Sequence, residues 1–292
     1  MDWTNAKNKL IILFLGINIL LGWANYRKVT SAYVLKESQV QDITNVLEQN
    51  NIFIDSPMPK KYKPLPKITV FPFQIDSNTR EDYVRKFLGT LDDVKVSIKA
   101  SDNREGNPQR IYSKGGEEVI FEGERIYYHN KALRGDANLD DLNFDEAKKL
   151  ANKCLIQLGY SPKKMHLQLG SNSDNLRLNY FDKYKGIPIF DSYIGITISP
   201  GGISEVEIHK VELGEAAGGK KEIYPIDQIF FYLIKLISAD EPVYIEDITI
   251  GYGLENPKGA HLIAEKALPF YQITLKGGET YHINAYSSGI RE

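Results

Sequence analysis

KNKLIILFLGINILLGWANYRK, residues 7–28, is the stretch on which the reading of the whole chain turns. Leu10 to Trp23 gives fourteen uncharged residues, and extension to Tyr26 gives seventeen. At 1.5 Å per residue that is about 26 Å of helix, which reaches the minimum length for a bilayer span. Trp3, Trp23 and Tyr26 are interfacial aromatics, and Lys7, Lys9, Arg27 and Lys28 can snorkel to headgroups. A soluble core helix needs no such flanks. A cleaved secretory signal would close on small residues, whereas Trp23, Asn25 and Tyr26 follow this run and Thr30-Ser31-Ala32 is the only A-x-A-like site. No cysteine follows the run, which excludes a lipoprotein anchor. An uncleaved anchor is the expectation, with a cleaved signal and a soluble helix as alternatives.

Orientation is not decided by charge, because Lys7 and Lys9 face Arg27, Lys28 and Lys36 across the span. One helix face carries Ile11, Leu15, Asn18, Gly22 and Asn25, at alternating spacings of four and three. A mid-bilayer amide seeks a partner and a glycine one turn away permits close approach, so Asn18, Gly22 and Asn25 are the candidate partner-binding residues. The competing reading is a lipid-facing helix that tolerates one asparagine.

The chain has 292 residues, 36 Lys+Arg against 38 Asp+Glu, and a formal net charge of −2. That balance argues against a nucleic-acid binder, which concentrates basic residues on its domain. A hydrophobic content of 42% requires a folded body. The single cysteine, Cys154, fits either side of a membrane.

The pattern after the span predicts an α+β body. A helix is expected over Glu37–Asn50, then a proline-rich connection, Ser56–Pro72, that spaces the body from the membrane and holds an edge strand at Ile68–Phe71. A helix over Thr79–Leu88, a strand over Val94–Ile98 and a hairpin of Glu118–Phe121 with Arg125–Tyr128 follow. The clearest helix is Phe144–Leu158, with Asn143 as N-cap, Glu146 placed for a capping box and Gly159 past the end. Its apolar stripe is Phe144, Ala147, Leu150, Ala151, Cys154, Leu155 and Leu158, which makes Cys154 a buried small hydrophobe rather than a nucleophile. Strands over residues 176–184, 187–198 and 203–211, a helix over Pro225–Ile237, and strands over 243–252, 261–264, 269–275 and 279–285 complete two successive helix-plus-antiparallel-meander units. The division expected is a tail (1–9), an anchor (10–26), a membrane-proximal α+β region (27–135) and a distal region of two units (136–292).

No catalytic, metal or phosphate constellation emerges, so neither an enzyme nor a cofactor is expected. His129, His166, His209, His261 and His282 are isolated, without the H-x-x-x-H spacing of a zinc pair. Gly251-Tyr252-Gly253 lacks the third glycine of a dinucleotide fingerprint and reads as a turn. Asp136-x-Asn138-x-Asp140 imitates a calcium loop, but the sixth position is Asp141 and the twelfth Ala147. Arg134-Gly135-Asp136 is too common a tripeptide to carry weight.

Three segments carry a family resemblance: MDWTNAKNKLIILFLGINILLG at the start, GIPIFDSYIGITISPGGISEVE (Gly186–Glu207) and ALPFYQITLKGGETYHINAYSSG (Ala267–Gly289). In this order they resemble the YycI family, membrane-anchored regulatory proteins of the cell-wall two-component system in low-GC Gram-positive bacteria. The relative YycH shares the architecture at greater length. The resemblance implies a cytoplasmic N-terminus, one span through membrane lipid, and an extracytoplasmic body that, with a YycH-like companion, restrains a WalK-like sensor histidine kinase. It implies no catalysis. Asn284, Ala285 and Gly289 in the closing hairpin are structural on this reading. A different class, an extracytoplasmic module for wall polymer or peptide, would use the eighteen tyrosines as a platform. Most of them alternate with apolar residues in strands, as sheet-covering residues do.

Overall fold

The computed structural model describes residues 3–100, 108–133, 143–170, 176–237, 241–255, 264–287 and 289. Asp136-x-Asn138-x-Asp140 of the calcium-like loop, Arg134-Gly135-Asp136, and His261 with most of the strand expected over 261–264 lie outside the described residues.

Helix α1 (Trp3–Ser31) runs unbroken for 29 residues and leads into an α+β body. Between Leu10 and Tyr26 it carries no charge and is apolar on every face except where Asn18 and Asn25 stand. The body holds α2 (Glu37–Gln49), β1 (Ile52–Ile54), β2 (Leu65–Pro72), α3 (Ser77–Leu88), β3 (Lys95–Lys99), β4 (Gln109–Lys114), β5 (Glu117–Glu122) and β6 (Arg125–Asn130). Then come α4 (Phe144–Leu158), β7 (His166–Gly170), β8 (Leu176–Tyr184), β9 (Ile187–Ser199), β10 (Gly202–His209), β11 (Val211–Lys221), α5 (Ile226–Leu236), β12 (Val243–Leu254), β13 (Glu265–Leu275) and β14 (Thr280–Asn284).

The strands form two halves. In the first, β3-β4-β5-β6-β10-β9-β8-β7 are antiparallel throughout. Helices α3 and α4 cover one of its faces, and Val84, Ala151, Leu155, Leu178, Ile194, Ile196 and Val206 form the core between them. In the second half, β11-β2-β13-β12 are antiparallel, β14 continues the edge of β13, and the short β1 adds to β12 in parallel. Its core joins Leu47 of α2 and Ile229, Phe230 and Leu233 of α5 to Ile245, Ile273 and Ile283. Burying each such side chain contributes about 1.5–3 kcal/mol. The halves meet where β12 touches β9 in parallel, at Tyr252 opposite Ile189.

Helix α4 has the bounds its caps demand. Asn143 accepts the backbone N–H of Asp145 at 3.0 Å, and Gly159 closes the helix at φ 94°. Ala147, Ala151, Leu155 and Leu158 are buried, but Phe144, in the first turn, is 39% exposed under the Lys148 ammonium.

Three local expectations are corrected. The strand at Ile68–Phe71 is internal, because Ile68 and Val70 pair with β11 on one side and β13 on the other. Gly251-Tyr252-Gly253 is part of β12 rather than a turn. Nor is the proline-rich connection a free spacer, since Lys61 in it bridges Val34 directly after the membrane helix.

Candidate functional site

Among the described residues α1 is the one helix long and apolar enough to cross a membrane, over Asn5–Lys28, and none of that window is buried in the body. It is therefore not a core helix. Its 24 residues rise about 36 Å, enough for the ~30 Å hydrocarbon layer with some tilt. At 3.6 residues per turn, Ile11, Leu15, Asn18, Gly22 and Asn25 fall within an arc of about 80°. Asn18 lies close to the middle of the span, and its side-chain N–H donates to the Phe14 carbonyl at 2.9 Å. That internal bond lowers the cost of placing the amide in lipid. A side chain added at Gly22 would meet nothing within 4 Å, so this face is open to a second helix.

The helix enters the body with a short, clamped junction. The Tyr62 hydroxyl donates to the Ala32 carbonyl at 2.9 Å, the Tyr62 N–H donates to the Tyr33 carbonyl at 3.1 Å, and the two rings meet edge to face. The Tyr33 hydroxyl donates to Glu222 at 3.2 Å, and the Leu35 N–H to the Lys60 carbonyl at 2.8 Å. Two distant segments thus hold the first residues after the span.

The face of the first half that carries no helix bears a charged network. Glu207 on β10 accepts from Arg177 at 2.6 Å, Arg125 at 3.0 Å and the Tyr193 hydroxyl at 2.7 Å. Arg177 also donates to Asn179 at 3.0 Å, and His129 approaches Glu205 at 3.5 Å. A glycine makes room for this, because a β-carbon on Gly195 would lie within 3.0 Å of the Arg177 guanidinium. A shallow depression of about 330 Å³ lies here, lined by Gln109, Tyr127, His129, Arg177 and Glu205 among others. Burial pushes the Glu207 carboxyl up, but Tyr193 and the two guanidiniums outweigh it and hold its pKa below the usual carboxylate value. A depressed folded-state pKa stabilises the fold above the unfolded value and is lost as pH falls through the folded one. Glu207→Gln is therefore expected to cost about 2 kcal/mol at pH 7, with the gap closing as pH drops below about 4.5. Urea unfolding of the solubilised chain at both pH values checks this, and a gap independent of pH contradicts it.

A second polar cluster sits where the halves join. Lys210, between β10 and β11, is 6% exposed at its side chain and pairs with Asp182 at 2.7 Å. The Ser192 hydroxyl donates to the same carboxylate at 2.6 Å and accepts the Val211 N–H at 3.3 Å. The Lys210 ammonium lies over the Tyr160 ring at 4.5 Å, and the Tyr160 hydroxyl bonds that of Tyr83. Asp191 accepts the Leu254 N–H at 2.7 Å, tying β9 to β12. Ser192 is thus held by structural contacts, its hydroxyl donating to a carboxylate that is already paired with Lys210 and accepting from the Val211 backbone. Cys154 lies partly buried on α4, where burial pushes its thiol up to about 11, away from a reactive thiolate. Among the described residues no group of three His, Cys, Asp or Glu could hold a metal ion.

Neither body cluster announces itself as a motif. For the Glu207 network, the period of two in Arg125-x-Tyr127-x-His129, Glu205-x-Glu207 and Arg177-x-Asn179 puts each set on one face of its own strand, and the pairing of the strands brings those faces together.

No protein-family model matches the chain, and no curated protein matches it. Among solved structures it is similar to an uncharacterized protein from Eubacterium rectale ATCC 33656, 14% identical, with 87% of this chain and 98% of that one covered at a TM-score of 0.56. That likeness shows the fold. Looser matches are YycH from Bacillus subtilis (15% identity, 78% and 55% covered, TM-score 0.47) and the YpeB C-terminal domain from Bacillus megaterium (10% identity, 75% and 96% covered, TM-score 0.40).

Proposed function

We propose that the chain is a non-enzymatic, membrane-anchored regulator that binds and restrains a sensor histidine kinase of a cell-wall two-component system, with its body outside the cytoplasm and a YycH-like protein as companion. The observation that carries this reading is the unbroken path from the span into the body: α1 ends at Ser31, and the Tyr33–Tyr62 clamp follows at once. A regulator without chemistry biases a kinase only by binding one of its signalling states better than another. A span coupled stiffly to a body can make that distinction on both sides of the membrane surface. The sequence resemblance to the YycI family supports the choice of partner. Its two body segments cover β9 with most of β10, and β13 with β14, so they flank β12 at the junction of the halves.

Asn18→Leu combined with Gly22→Leu is expected to reduce co-purification of the kinase about tenfold, the loss of roughly 1.4 kcal/mol of helix contact, while leaving membrane insertion intact. A photoreactive residue at Asn18 should capture the kinase or its companion in cells. Capture of lipid alone, with unchanged co-purification of the double variant, would refute a contact in the bilayer. The depression beside Arg177 and Glu205 favours a second reading, a body that binds wall polymer or peptide. On that reading purified wall retains the protein, whereas a pure kinase regulator stays in solution.

A further inference from the structure

The span ends at Lys28, and only residues 29–31 of α1 separate it from the first body contact, the Ala32 carbonyl held by Tyr62. Three residues of helix rise about 5 Å. The headgroup layer beyond each hydrocarbon boundary is about 5–7 Å thick, so the base of the body starts within it or at its outer edge.

The chemistry of that base is one-sided. Val34 pairs with Lys61, Leu35 bonds the Lys60 backbone, and Tyr33 reaches Glu222 beside the end of β11. These contacts gather Lys36, Lys60, Lys61, Lys63, Lys220 and Lys221, all exposed, around the exit of a helix that itself carries Arg27 and Lys28. The same segments supply two carboxylates, and both are engaged, Glu37 by Lys60 at 2.7 Å and Glu222 by Tyr33. A chain of net charge −2 thus concentrates about six positive charges at the place where it leaves the bilayer. Tyr33 and Tyr62 pack edge to face in the same segments as these lysines, and amphipathic aromatics settle at a membrane surface.

We infer that this lysine collar binds the phosphates of anionic phospholipid headgroups and seats the body on the bilayer in one orientation. The inference rests on α1 being a span, and it holds for either side of the membrane because it uses only the depth of the collar. Attraction between exposed charges fades over a Debye length of about 8–10 Å, and the collar lies within that distance of the phosphates. A body held this way cannot swing freely about its anchor, so its surfaces meet a neighbouring membrane protein at a fixed height and angle.

The full chain, assembled in nanodiscs of phosphatidylcholine alone or with roughly 30% phosphatidylglycerol, tests the inference through site-resolved amine labelling. Labelling of Lys36, Lys61 and Lys63 should slow at least about threefold in the anionic discs and recover near 0.5 M salt. Lys99 on β3, at the far end of the strand order from β11, should label equally in both. Equal rates at the three collar lysines, in chain retained by the discs, overturn the collar alone. Chain that fails to enter either disc overturns the span, and the collar with it.

Discussion

Asp182→Ala is expected to cost about 3–4 kcal/mol at pH 7, because it leaves the Lys210 ammonium buried without its counter-charge. The loss has a ceiling set by chemistry. A lysine stripped of its partner can give up its proton, which at pH 7 costs about 4.6 kcal/mol from an ordinary pKa near 10.4. Burial already pulls the Lys210 pKa below its ordinary value in spite of Asp182. Removing the carboxylate removes the opposing attraction and lowers it further. Over the interval between the folded and unfolded values the unfolded chain binds the extra proton, so the variant regains stability as pH rises. At pH 9 the ceiling falls to about 2 kcal/mol, and the variant should approach wild type accordingly. Denaturant unfolding at the two pH values measures this, and Lys210→Met in the same background should recover most of the loss. A deficit that stays constant with pH, or that Lys210→Met does not relieve, would show that the ion pair is not what holds the junction.

Gly251→Val should be nearly as damaging through sterics alone. A β-carbon at this position would lie within 3.0 Å of three ring carbons of Phe190. That ring is buried and meets Phe181 and His282 edge to face, at centroid distances of 6.0 and 5.2 Å. Overpacking of this kind costs about 3 kcal/mol, which for a body of this size lowers Tm by about 6–12 °C. Phe190→Leu in the Gly251→Val background should return part of that, since the two positions share one volume and their effects cannot add. An unchanged Tm for Gly251→Val would mean that β12 and β9 can part without cost.

The same glycine shows where sequence reading loses its grip. Local chemistry was legible wherever a residue decides its own neighbourhood: Asn143 and Gly159 bound α4 on the page as they do in space, and the flanking lysines and aromatics of residues 7–28 mark a helix that the body leaves uncovered. Gly251 looks like a turn residue from its neighbours, and its reason for being glycine stands on another strand. β2 fails for the same cause. Its prolines advertise an edge, while Ile68 is paired on one side to Ala216 and on the other to Ala267. The Glu207 network is built from β6, β8, β9 and β10, so no spacing within one strand could assemble it. Along α1 the helical period alone puts Asn18, Gly22 and Asn25 on one face. What the backbone adds is the Asn18 bond to Phe14, which a residue count does not foresee.

The pairing of β1 and β2 sets a timetable for the newborn chain. Ile52 waits for Val243 and Ile68 for Ala267, each about 190–200 residues later. At 5–20 residues per second the ribosome takes roughly 10–40 s to deliver those partners. During that interval α3 through β10 can complete the first half from contiguous sequence, while the stretch next to the membrane helix remains open. The half nearest the bilayer is therefore the last to close, although its first strands are among the earliest made.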